Sequence, residues 1–243
     1  MTNKIDQIYA DTTGRPADFR FDDKVAQVFA DMISRSVPGY GLTLDMIGVI
    51  AKHYVTNNSH CYDLGCSLGA STLAIRHNIE AVDSTIIAVD NSPAMIEQCR
   101  ANLESSQSLT PVDLRAEDIL ATTFDNASLV TMNFTLQFIA SEQRLALLSR
   151  IADGMNTGGA LVLSEKIALP GSMEQALMTD LHHDFKAAMG YSQLEIAQKR
   201  QSIENVLIPD TIESHKERLH EAGFSQVHVW FQCFNFISLL AIK

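Results

Sequence analysis

The apolar positions of this chain change period several times, and each change predicts an element. Over residues 21–37, FDDKVAQVFADMISRSV, apolar side chains fall at Val25, Val28, Phe29, Met32 and Ile33, the one-face spacing of a helix. Pro38, Gly39 and Tyr40 stop it. A second helical stretch, about 42–54, leads into HCYDLG, an apolar run closed by an acid and a glycine, which predicts a strand. From there the pattern alternates. ASTLAIRHN predicts a helix, TIIAVD a strand, and SPAMIEQCRANLESS a helix with Ser92 as N-cap and Pro93 at the first helical position. PVDLRA and SLVTMNF predict two further strands, SEQRLALLSRIADGM a helix opened by a serine cap, and GGALVLSE another strand.

Strand and helix in alternation predict an α/β domain with a mostly parallel sheet covered on both faces, a Rossmann-like arrangement. After residue 170 the pattern changes: SMEQALMTDLHHDFKAAMG and SQLEIAQKRQSIENVL are helical with no strand between them, which predicts a helical cap over about 171–207. The chain then returns to the sheet through a helix, TIESHKERLHEAGF, and two apolar runs, QVHVWF and FNFISLLAI. Their connection is too short for a crossover, so the C-terminal hairpin is antiparallel and the sheet has seven strands. No repeat or long linker divides the chain. The expectation is an N-terminal tail, 1–20, followed by a single domain, 21–243.

Composition narrows the classes. The 243 residues are 46% hydrophobic, yet the longest apolar run, FISLLAI, is far short of the roughly 20 residues of a spanning helix, so no membrane segment is expected. Lys4, Asp6, Asp11, Arg15, Asp18 and Arg20 leave no apolar signal region at the start, and a cytoplasmic address is expected. Cysteines 61, 66, 99 and 233 form no CxxC pair and no zinc-type spacing with histidine, which predicts free thiols and no metal. The adjacent histidines at 182 and 183 point about 100° apart on a helix, so they read as structural or substrate-lining. A net charge of −11 without a Lys/Arg cluster argues against direct nucleic-acid binding.

Candidate chemistry gathers at the strand ends, where ligands of open α/β sheets bind. In YDLGCSLGAST, Gly65 and Ala70 fit the first and third positions of a dinucleotide fingerprint, but Ser67 stands where a pyrophosphate needs bare backbone. Gly69 comes one residue early. The loop suits a nucleoside ligand without pyrophosphate, and S-adenosyl-L-methionine is one. Asp90 ends the second strand 25 positions after Gly65, near the spacing of a ribose-binding acid, with Asn91 beside it. Asp118 can accept from an adenine amino group while Ile119 packs on the ring, and Asn133 ends the fourth strand and faces the same place. Tyr40 and Trp230 read equally as stacking rings or core aromatics. Met32, Met46, Met95 and Met178 read as packing. A nicotinamide-dependent dehydrogenase remains the alternative for the loop alone.

Segments across the chain are similar to those of the bacterial carboxy-S-adenosyl-L-methionine synthase family: SVPGY, YDLGCSLGA, DNSPAMIE, NFTLQF, GGALVLSEK, HHDFK, GYSQLEIAQKR, IENV, HKERLHEAGF and WFQCFNF. The resemblance runs from about residue 20 to the end, with apolar departures at Ile203 and Ile208. It implies a methyltransferase-like fold and an enzyme that carboxylates the methyl group of S-adenosyl-L-methionine. The carboxyl would come from prephenate, with carboxy-S-adenosyl-L-methionine and phenylpyruvate as products. It also implies a homodimer joined through the cap helices and a downstream tRNA uridine carboxymethyl-type transferase acting at the wobble position. Carried onto this sequence, its ligand contacts are Tyr40, Gly65, Cys66, Ser67, Asp90, Asn91, Asp118, Ile119, Asn133 and Arg200. Arg200, from this chain or its neighbour, would grip the new carboxylate, because a guanidinium binds a carboxylate through two parallel hydrogen bonds. Lys199 is a weaker candidate. The residues also remain compatible with an ordinary small-molecule methyltransferase or a non-catalytic S-adenosyl-L-methionine-binding protein.

Overall fold

Five of the seven strands carry apolar runs, and the computed structural model, which describes residues 4–10, 19–108, 110–203 and 206–243, buries those runs on both faces. The strands are β1 (His60–Leu64), β2 (Thr85–Asp90), β3 (Val112–Ala116), β4 (Ala127–Asn133), β5 (Met155–Lys166), β6 (Gln226–Cys233) and β7 (Phe236–Ile242). They lie in the order β3-β2-β1-β4-β5-β7-β6. The first five are mutually parallel, and β7 runs antiparallel to both β5 and β6. The two edge strands, β3 and β6, carry exposed positions along their length, whereas β5 is exposed only near its start, at Thr157 and Gly158. GGALVLSE is the inner part of a longer strand that extends to Lys166.

Alternate side chains divide between two packed layers, as the strand period requires. Cys61, Ile86 and Leu129 point to one face, where they meet Ile47 and Ala51 of α2 (Tyr40–Tyr54) and Ile75 of α3 (Ala70–Asn78). On that side Ala88 packs on Ile96 and Cys99 of α4 (Pro93–Glu104). Tyr62, Ile87 and Val130 point to the other, against Leu147, Leu148 and Ile151 of α5 (Ser141–Gly154) and Leu219 of α8 (Ile212–Glu221).

Local signals behave as chemistry dictates, with two differences from the sequence reading. Ser92 caps α4, accepting from the Met95 N–H at 3.3 Å, with Pro93 in the first turn. The serine cap expected for α5 is absent: Ala140 holds that position without a side-chain bond, and Ser141 is already helical. A short 3-10 turn, Leu136–Phe138, delivers the chain to the helix and the Ala140 carbonyl accepts from the Gln143 N–H, so no side-chain cap is used. The helix expected from about 42 starts at Tyr40, because Gly39 takes a left-handed φ of 76° and turns the chain directly out of α1 (Asp23–Ser36).

The cap consists of α6 (Ser172–Ala188) and α7 (Gln193–Ile203), lying with α1 beyond the strand ends. Residues 4–10, part of the stretch read as a tail, pack here. The Asp6 carboxylate accepts from the Tyr191 hydroxyl at 2.5 Å, and the Tyr9 hydroxyl accepts from that of Ser202 at 2.8 Å. Two residues of the IENV motif, 204 and 205, lie outside the described residues. Among the described residues no helix is long and apolar enough to cross a membrane.

Candidate active site

Strand β1 is flanked by β2 on one side and β4 on the other, so the chain's direction of winding reverses between β1 and β4. Loops leaving the carboxyl ends of these two strands diverge and open a crevice. At its edge Gly65 takes a φ of +76°, and an added Cβ would run into the Thr135 side chain, so only glycine fits. The Gly65 and Cys66 N–H groups both donate to the Val89 carbonyl, at 2.8 and 3.0 Å. Ser67 is also left-handed, at +49°, and its N–H donates to Asp90 Oδ2 at 2.9 Å. Asp90 Oδ1 accepts from the Ser92 N–H at 2.9 Å, so this one carboxylate ties the glycine loop to the start of α4. Burial pushes the Asp90 carboxyl up, and those two N–H groups oppose the rise.

Asp63 lies beneath the loop, fully buried, accepting from the hydroxyls of Thr72 at 2.6 Å and Thr131 at 2.9 Å. Burial pushes its carboxyl up to about 6 against those bonds.

The crevice widens into a cavity of about 880 Å³. Tyr40, Gly65, Cys66, Ser67, Asp90, Asn91, Asp118, Ile119, Asn133 and Arg200 all border it. Residues separated by as many as 160 positions in sequence are thereby brought to one space. Asn133 donates through Nδ2 to the Ser71 hydroxyl at 3.1 Å, while its Oδ1 is buried without a partner among the described residues. Such an orphaned acceptor costs about 1–3 kcal/mol unless a ligand donor or water meets it. The next residue, Phe134, carries a φ of +64°, rare for a bulky side chain, and its N–H is held by the Ser164 carbonyl at 2.8 Å.

Two of the weaker expectations separate here. Tyr40 sits at the cavity with its ring 6.4 Å from that of Phe134, and burial pushes its hydroxyl up. Trp230 does not reach the cavity; it lies on β6 against the cluster around Ile47 and is a core aromatic. Lys199 borders the cavity, but its ammonium donates to the Ser36 hydroxyl at 2.8 Å and lies 4.0 Å from Asp6. His182 is buried and donates through Nε2 to the Ser36 carbonyl at 2.8 Å. Burial and the Lys186 charge push it down to about 3, so it is a neutral wall residue.

Sequence reasoning missed Lys166, Lys186, Phe134 and Phe236, all of which line the cavity. Lys166 ends β5, and the strand-end rule that selected Asp90 and Asn133 also selects it. Lys186 carried no sequence signal, since a lysine on an amphipathic helix is usually solvated. One part of the cavity thus offers turn backbone and acids suited to a hydroxylated, cationic ligand. Another offers ammonium and guanidinium groups suited to carboxylates.

A family model described as a methyltransferase domain matches residues 62–159, the stretch from β1 into β5. Over 98% of the chain it is 60% identical to carboxy-S-adenosyl-L-methionine synthase of Marinobacter nauticus, covering 95% of that protein. It is 57% identical to the protein of the same name from Hahella chejuensis, with both chains covered completely. Among solved structures it is similar to human N-acetylserotonin methyltransferase in complex with SAM, with a TM-score of 0.58 and 16% identity, a likeness of fold alone that covers 91% of this chain and 55% of that one.

Proposed function

The chain belongs to the carboxy-S-adenosyl-L-methionine synthase family, and from that premise we propose that it exchanges a proton of the S-adenosyl-L-methionine methyl group for a carboxyl group taken from prephenate. It is an enzyme with a methyltransferase-like fold, S-adenosyl-L-methionine is its substrate and carboxy-S-adenosyl-L-methionine its product. The observation that carries the finer reading is Arg200 on the same cavity as the glycine loop. A methyl donor needs an open path to an acceptor, whereas a product bearing a new carboxylate needs a cation beside its sulfur.

The ligand's ribose hydroxyls lie against Asp90 and Asn91, its adenine between Asp118 and Ile119, and its amino-acid end near Gly65 and the unpaired Asn133 Oδ1. Methyl protons next to a sulfonium are acidic because the ylide formed on deprotonation is stabilised by the adjacent positive sulfur. Prephenate supplies both reagents. Loss of its ring carboxylate as carbon dioxide and of its ring hydroxyl as hydroxide makes the ring aromatic and leaves phenylpyruvate. Hydroxide takes the methyl proton to give water, the ylide carbon attacks carbon dioxide, and the new carboxylate meets Arg200. Electrons balance without an oxidant or a strong protein base, so the chain's work is positioning and charge placement.

The wider setting rests on the family resemblance. The product serves a tRNA uridine carboxymethyl-type transferase, the enzyme is cytoplasmic, and the cap helices join two copies. Met173 and Leu177, exposed on α6, support that last element. The test is mass spectrometry of the small molecules after incubation with S-adenosyl-L-methionine and prephenate labelled with ¹³C in the ring carboxylate. Labelled product heavier by one carbon dioxide, with phenylpyruvate alongside, is expected. Bound S-adenosyl-L-methionine recovered unchanged, or its methyl found on an acceptor, overturns the reading.

A further inference from the structure

Apart from the Arg200 guanidinium, two ammonium groups border the cavity without a counter-ion among the described residues. Lys166 is the register partner of Phe236 across β5 and β7, so their side chains rise from the same face of the sheet. The Phe236 ring lies 4.8 Å from that of His182, and Lys186 follows His182 by one helical turn on α6. All four border the cavity. Among the described residues neither the Lys166 nor the Lys186 ammonium has a hydrogen bond or ion pair, although the Lys166 N–H donates to Gln137 Oε1 at 3.0 Å. Lys186 is nonetheless only 6% exposed.

The charged and titratable groups around Lys186 are His182 and His183 on its own helix, Lys199 and Arg200 on α7, and Lys166 on β5. Among the described residues no carboxylate acts on the Lys186 ammonium itself, and Asp180 of the same helix acts on His183. A buried ammonium surrounded by like charge is disfavoured, and an anion is its complement. An aromatic run leads towards this pair, from Tyr40 to Phe134 at 6.4 Å and from Phe134 to Phe236 at 6.1 Å.

We infer that Lys166 and Lys186 form a carboxylate subsite, distinct from Arg200, for the carboxylate that the organic-acid co-substrate keeps, with its ring laid along Phe134 and Phe236. The inference rests on the proposed reaction, in which one carboxylate of a dicarboxylate is transferred and the other stays on the departing keto acid. Two anionic groups that part during turnover need two cationic anchors. Arg200 meets the group that joins the sulfonium ligand, and the lysine pair retains the other.

The experiment is calorimetric titration of wild type, Lys166→Met, Lys186→Met, the double variant and Lys186→Arg. S-Adenosylhomocysteine is bound first to prevent turnover, and prephenate and phenylpyruvate are then titrated in. Each lysine-to-methionine change is expected to weaken both acids by about 10- to 100-fold, the range of a lost charge-assisted hydrogen bond. S-Adenosyl-L-methionine affinity, measured separately, is expected to stay within about twofold, which also certifies the fold, and Lys186→Arg is expected to recover most of the loss. Unchanged affinity for the acids in the double variant overturns the subsite, as does unchanged binding with turnover lost, which would make Lys186 a proton carrier. Loss of carboxy-S-adenosyl-L-methionine affinity instead of the keto acid's overturns it too. A wild-type protein that binds neither acid sinks the proposed function itself, an outcome distinguishable from a wild type that binds and converts prephenate while the variants match it.

Discussion

Replacing Lys186 by methionine is expected to stabilise the ligand-free protein. Burial, and then the charges of Lys199, Lys166 and Arg200, push the Lys186 ammonium from 10.5 down to about 7. A fall of about 3.5 pH units, at about 1.36 kcal/mol each, sets a ceiling of about 5 kcal/mol on what the charged form costs the fold. Water in the cavity and the flexible stem relieve part of this, leaving an expected gain of about 2 kcal/mol. For a chain of this size that is about 4–8 °C in Tm. The sign follows from proton counting: between about pH 7 and 10.5 the unfolded chain holds the Lys186 proton and the folded one does not, so wild-type stability rises with pH over that window. The variant's advantage is therefore largest below pH 7 and shrinks towards pH 10.5. Thermal unfolding of both proteins without ligand, at pH 6 and pH 9.5, measures it. A variant no more stable than wild type at pH 6, or an advantage that does not change with pH, would refute the claim that this ammonium is held at a cost for a ligand's sake.

Other expectations follow from single contacts. Arg200→Leu is expected to weaken carboxy-S-adenosyl-L-methionine by about 10- to 100-fold in calorimetry while leaving S-adenosyl-L-methionine unchanged, and equal loss of both would count against its role. Gly65→Ala drives a Cβ into Thr135 at a left-handed φ of +76°, so a loss of about 1–3 kcal/mol in denaturant unfolding is expected together with loss of S-adenosyl-L-methionine binding. For Asp63, raised to about 6 by burial, the folded state holds the proton more tightly than the unfolded one, so wild-type stability falls by about 3 kcal/mol as pH rises from 3.8 to 6. Asp63→Asn is expected to remove that slope; an unaltered slope assigns the titration to another group.

The side of the cavity proposed to hold the adenosyl group was legible because it is built from local signals. A glycine turn behind β1, an acid ending β2 and an amide ending β4 each announce themselves by their place after an apolar run, and parallel topology carries all three ends to one edge. Ser67 told the ligand's type by being a side chain where a pyrophosphate tolerates none. The serine at the start of α5 misled, since a 3-10 turn already fed that helix.

The cationic side of the cavity was decided by tertiary structure. Lys186 and Lys199 sit in one cap and read alike in sequence, yet among the described residues the ammonium of the first faces the cavity without a partner and that of the second is held by Ser36 and Asp6. Trp230 and Phe236 are two aromatics of one hairpin, and of the two the second alone reaches the cavity. Strand period and turn chemistry are local, so the sequence by itself determined the layers, the order of elements and the glycine loop. Which lysine lacks a counter-charge depends on what α1, α6, α7 and the end of β5 bring within a few ångströms of it, and only the packed structure sets those distances.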